Sequence, residues 1–158
     1  MRIAGYASRF GTRDAGGDVV RRGAFAASLL SRSRPLPMLS DHQRRIGIWT
    51  RATEDETGLR VEGEVTDPAL ARLIRAGTVT GLSIGYRTRR ARDGPGSPPG
   101  RELLDLDLEE VSVVAFPMLG SARIDRVQDD MHDGETALRR GPQKTPQDLQ
   151  HAMKRISA

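Results

Sequence analysis

The stretch that most limits the folds open to this chain is "ELLDLDLEEVSVVAF", residues 102–116. Apolar and polar residues alternate along it, the period of a β-strand, and Pro117 ends it. Before it, "TVTGLSIGYRTRRAR" (78–92) also has strand character. "DGPGSPPG", Asp93 to Gly100, separates the two and is too rich in Pro and Gly to join a sheet, so the two strands should pair across it. On simple alternation, Leu106, Leu108, Glu110 and Ser112 share one face of the later strand, and Glu109, Val111 and Val113 share the other.

The remaining elements fit around this pair. "RIAGYASRF" reads as a first strand, "GTRDAGGDVVRRG" as a long turn-rich loop and "GAFAASLLS" as a short apolar helix. "PLPMLSDH" is an extended piece ending on Asp41 and His42, and "IGIWTRATEDETGLRVEGEV" is a hairpin turning at "DETG". "DPALARLIRAG" carries helix punctuation at both ends: Asp67 as N-cap, Pro68 at the first helical position and Gly77 beyond the end, with Leu70, Leu73 and Ile74 as its apolar stripe. The sum is a mostly β domain with a few short helices (α+β), roughly six or seven strands in a closed or nearly closed barrel. The expected organisation is one domain over 1–127, a polar linker over 128–144, and a short capped helix or tail over 145–158.

Composition removes several classes of chemistry. Aromatics are only 4%, so the core must be built from Val, Leu, Ile and Ala. There is no cysteine, which excludes disulfides, thiolate metal sites and a cysteine nucleophile. No apolar run approaches about 18 residues and no signal-type segment follows Met1, so a soluble, non-membrane protein is expected. The net charge is +4, but the basic residues are scattered among carboxylates. A nucleic-acid footprint should be clustered and interleaved with stacking aromatics, and only "YRTRRAR" (86–92) comes close, so such a partner is not expected. Asp14 and Asp18 lack a calcium-loop pattern and read as a hydrogen-bonded turn. Trp49 reads as core or rim. No Walker, dinucleotide or zinc spacing is present, so no cofactor is expected.

"GLSIG", residues 81–85, matches the G-x-S-x-G pattern of a serine nucleophile. A serine hydroxyl needs a base to take its proton, and the base needs a partner to fix its tautomer. Of the three histidines, His132 and His151 lie in the polar tail, whereas His42 closes an extended segment inside the compact part. Glu109 and Glu110 are carboxylates embedded in a strand. An α/β-hydrolase is excluded, because the sequence after Ser83 continues as strand and the candidate histidine precedes the serine.

Taken in order, "GYASRFGTRDAGGDVVRRGAF", "LSDH", "IGIWT", "GLRVEGEV", "GLSIGY" and "LEEVSVVAFPM" resemble the prohead protease family of HK97-like tailed phages, over about residues 3–127. Gene transfer agents derived from such phages carry similar proteases. The resemblance implies a serine endopeptidase on a β-barrel related to the herpesvirus assembly proteases, which place the histidine before the serine and the third member after it. It assigns His42 as base and Ser83 as nucleophile. Glu110 is the third member in place of a second histidine, ahead of Glu109 and then His132. By analogy, the loop "PMLGSAR" supplies the oxyanion donors, with Gly120 and Arg123 as candidates. The implied substrate is the major capsid protein with its scaffolding segment, and the protease itself, inside the assembling procapsid in the bacterial cytoplasm. The herpesvirus enzymes require dimerisation, which makes a homodimer a further expectation. The rival class is a non-enzymatic basic barrel that binds nucleic acid or capsid through Arg87, Arg89, Arg90 and Arg92.

Overall fold

The computed structural model describes residues 1–94 and 100–129. Its longest strand, β7 (Arg101–Val114), pairs antiparallel with β6 (Gly81–Asp93) along nearly its whole length. On its other edge β7 takes β2 (Val19–Val20) and β3 (Leu36–Ser40), both parallel. From β3 the sheet continues antiparallel through β4 (Arg44–Glu54) and β5 (Gly58–Val65) to β1 (Arg2–Arg9). Then β8 (Arg123–Gln128) pairs with β1 and touches β6 at a single position, Gly81 opposite Arg123. The ring β7–β3–β4–β5–β1–β8–β6 returns to β7, a closed seven-stranded barrel.

The barrel is filled by aliphatic side chains, as the low aromatic content requires, with Leu59, Val61, Leu82, Leu103, Leu106, Val111 and Val113 all fully buried. Trp49 is buried among them, and its indole N–H donates to the Val111 carbonyl at 2.9 Å. Two short helices flank the barrel, α1 (Ala26–Leu30) and α2 (Pro68–Arg75). Asp67 caps α2 by accepting the Leu70 N–H at 2.8 Å.

Three sequence expectations need correction. Strand β8 has no counterpart in the sequence reading, which places a loop at 117–123, a linker from 128 and no element between them. Only Ile124 is partly buried, and Val127, its other apolar residue, is exposed, so the element that closes the ring carries little apolar signal. In α2 the buried face is Leu70, Ala71 and Ile74, while Leu73 is 44% exposed. At about 100° per residue, Leu73 lies a quarter-turn or more from a face centred on Ile74.

The third correction concerns β7. Gly85 pairs with Glu110, but the next residue, Tyr86, pairs with Leu108, so Glu109 is the extra residue of a bulge. The core-facing set is Leu106 and Leu108 before the bulge and Val111 and Val113 after it. A one-residue insertion changes the face of everything beyond it. Glu110 and Ser112 are therefore turned away from the apolar core and lie beside Gly85 and Ser83 of β6. The expected linker beyond Asp129, the helix over 145–158, His132, His151 and most of the 93–100 loop lie outside the described residues.

Candidate active site

Ser83 sits on β6, two residues into the strand, directly opposite Ser112 of β7. His42 arrives from a different part of the ring. The Gln43 N–H donates to the Ser40 carbonyl at 3.0 Å, closing a tight turn between β3 and β4. Asp41 and His42 at its centre both have positive φ, 50° and 61°. These are the only two non-glycine residues with positive φ among the described residues. Asp and His tolerate that region better than most side chains, but it costs about 1 kcal/mol or more per residue. Such strain persists where surrounding contacts over-determine it, and it concentrates at functional sites.

The turn delivers the imidazole between β6 and β7. His42 Nε2 is 3.1 Å from Ser83 Oγ, and His42 Nδ1 is 2.5 Å from Glu110 Oε1. The Glu110 side chain is only 11% exposed, whereas the His42 ring is 45% exposed and open to an incoming group. The runner-up, Glu109, projects from the bulge into solvent and pairs with Arg87. The geometry thus brings Ser83, His42 and Glu110 into one hydrogen-bonded series and leaves Glu109 out of it.

Gly85 makes room for this series. A Cβ built there would lie 2.2 Å from Glu110 Oε1 and 2.9 Å from both Glu110 Cδ and Cγ. Only a hydrogen at this position lets the glutamate lie across β6 and reach the ring. Gly81 answers to a different demand, since its Cβ would meet the Val114 carbonyl at 2.6 Å and Pro117 at 2.7 Å. The G-x-S-x-G pattern here records two close approaches on a strand, not a strand-to-helix elbow.

Beside Ser83 lies a cavity of about 130 Å³, where β8 no longer separates β1 from β6. Ala7, Leu82, Ile84, Tyr86, Met118 and Leu119 give it apolar walls, and Arg9, Asp14 and Asp18 lie at its polar side. Asp14 accepts the N–H groups of Gly16 and Asp18, both at 2.9 Å, and Asp18 is gripped by Arg101, so this pair forms a hydrogen-bonded turn. The Arg101 guanidinium holds the Asp18 carboxyl below its usual range. Burial pushes the Tyr86 phenol above its ordinary value, with the Asp18 charge adding to it.

Of the residues expected as oxyanion donors, Gly120 lies in the β7–β8 loop and Arg123 is the first residue of β8. The Arg123 guanidinium is tied to the Gly120 carbonyl at 2.9 Å and to Thr80 Oγ1 at 3.1 Å. The Gly120 N–H has no hydrogen-bond partner among the described residues, and its neighbour Leu119 lines the cavity with Ser83. Of the arginines on β6, Arg87, Arg89 and Arg92 each pair with a carboxylate of β7, which removes most of the basic stripe that the binding-module reading needs. Sequence reasoning overlooked Ser112. The available signal was its position two residues after Glu110 in an otherwise apolar stretch.

Residues 1–136 match the family described as Caudovirus prohead serine protease. The prohead protease of Enterobacteria phage HK97 is 34% identical over 122 residues, covering 72% of this chain and 54% of that protein. The prohead protease of Escherichia phage T5 is 33% identical over 124 residues, covering 74% of this chain and 58% of that protein. The chain thus spans little more than half the length of these relatives. Among solved structures, KSHV protease in complex with a hexapeptide phosphonate inhibitor superposes with a TM-score of 0.55 at 17% identity, over 99% of this chain and 75% of that one. That likeness is one of fold, the barrel the sequence led us to expect.

Proposed function

The chain belongs to the caudovirus prohead serine protease family, and from that premise we propose that it is a serine endopeptidase of capsid maturation whose nucleophile is Ser83. The observation that carries the reading is the continuous series Ser83 Oγ to His42 Nε2 at 3.1 Å and His42 Nδ1 to Glu110 Oε1 at 2.5 Å. His42 takes the Ser83 proton as Oγ attacks the scissile carbonyl, then returns it to the departing amine. Glu110 fixes the tautomer that presents a bare Nε2 to the serine and stabilises the imidazolium that forms. Water then hydrolyses the acyl-enzyme by the same route in reverse.

The developing oxyanion needs donors already in place. The Gly120 N–H suits this role better than the Arg123 side chain, whose donors are engaged with Gly120 and Thr80. The substrate proposed is the scaffolding segment of the major capsid protein, within the assembling procapsid, with the protease's own chain as a second target. Co-expression with a capsid protein that retains its scaffolding segment tests this. The wild-type chain should shorten the capsid protein and Ser83→Ala should leave it full-length. Equal cleavage by both would refute the assignment.

A further inference from the structure

Ser112 is fully buried, at 0% exposure, yet it lies on the face of β7 that turns away from the apolar core. A hydroxyl has one proton to give and can accept others. Here it accepts the backbone N–H of His42 at 2.9 Å and donates to Glu110 Oε2 at 2.8 Å. Glu110 Oε1 meanwhile receives the His42 ring at 2.5 Å. The contacts close a loop: hydroxyl to carboxylate, carboxylate to imidazole, imidazole through its own backbone to the same hydroxyl.

Each arm of that loop has a separate consequence. The N–H bond holds His42 in the left-handed conformation that its φ of 61° requires. The donated proton occupies one carboxylate oxygen and so leaves only the other to face the ring. An incoming N–H on the hydroxyl also orients its single proton toward Glu110, since the accepting lone pair is taken. Cross-strand register sets Ser112 directly opposite Ser83, so nucleophile and clamp share one rung of the β6–β7 ladder.

We propose that Ser112 is a positioning residue of the hydrolytic site, a single hydroxyl that fixes both the backbone of the base and the carboxylate that orients it. The proposal rests on the reading of Ser83, His42 and Glu110 above. It acts through His42 and Glu110 and touches no reacting atom. A side chain that only fills space would not need both contacts.

The test uses the whole chain with three variants: Ser112→Ala, Ser112→Thr and Ser83→Ala. Ser112→Ala should lower kcat about 10- to 100-fold, the size of a lost hydrogen bond to a charged group, with KM changed by less than about threefold. The short His42 Nδ1–H···Glu110 bond should give a low-field proton resonance in the substrate-free chain, which should weaken or vanish in Ser112→Ala and remain in Ser112→Thr. Ser112→Thr keeps the hydroxyl and should recover most of kcat. The proposal is overturned if folded Ser112→Ala keeps kcat within about twofold of wild type, if KM alone rises, or if the resonance is unchanged. It is overturned equally if Ser112→Ala fails to fold, since Ser112 would then be a structural residue. Undiminished cleavage by Ser83→Ala would instead sink the underlying reading, and the resonance would still report on the clamp.

Discussion

Replacing Gly85 with alanine should disable the site while leaving the barrel folded. The added Cβ would sit 2.2 Å from Glu110 Oε1 and 2.9 Å from its Cδ and Cγ. A carbon and an oxygen in ordinary contact stand about 3.3 Å apart or more, so the carboxylate must retreat by roughly 1 Å. Both Cγ and Cδ are crowded as well, so the whole side chain has to swing. Drawn back by that amount, the 2.5 Å bond to His42 passes out of hydrogen-bonding range. The cost to the fold is that of mild overpacking, about 1–3 kcal/mol, which a domain of ordinary stability survives. The cost to turnover is that of losing the carboxylate partner of a catalytic histidine, about 10³- to 10⁴-fold in kcat. Purified Gly85→Ala would be assayed on a capsid protein carrying its scaffolding segment, with thermal unfolding followed in parallel. Because the damage runs through Glu110, Gly85→Ala combined with Glu110→Gln should lose little more than Glu110→Gln alone. Turnover within threefold of wild type, or fully additive losses, would refute the reasoning.

The two neighbouring glutamates should behave very differently: Glu110→Gln should cost about 10³-fold or more in kcat, whereas Glu109→Gln, which breaks only an exposed pair with Arg87, should leave kcat near wild type. Similar losses in both would point to the wrong carboxylate. Glu102 is buried and receives Arg21 and Arg92, and the hydrogen bond from Arg21, with that from Arg92, holds its carboxyl below the usual value. A depressed folded-state value gives stability that is present above the ordinary carboxylate range and lost as the pH falls through the lower folded value. The stability gap between wild type and Glu102→Gln, measured as urea midpoints, should therefore narrow on acidification through that range. A gap independent of pH would contradict the ion-pair account.

Much of the barrel is legible because its strands obey simple rules. The strand character of 102–114, the "DETG" turn and the Asp67–Pro68 start of α2 each reflect a local preference that the fold keeps. What could not be read depends on partners far along the chain. β8 stays largely exposed because it is held by backbone pairing with β1 more than by burial. The bulge at Glu109 is a property of register between β6 and β7, and no window of sequence within β7 alone announces it. His42, Ser83 and Glu110 could be named through the order of segments, but the sequence could not give the reason for Gly85. That reason is a carboxylate arriving from 25 positions later, visible only once the strands are paired. Ser112 escaped notice for the same cause, because its hydroxyl matters only with the His42 turn folded over it.

The account stands on Ser83 being a hydroxyl activated by His42. Treating the purified chain with a fluorophosphonate, then locating the adduct by intact mass and peptide mapping, tests that most directly. A single adduct on Ser83 that disappears in His42→Ala, with the fold retained, is the predicted result. An adduct on another residue, or labelling of Ser83 that does not depend on His42, would contradict the account.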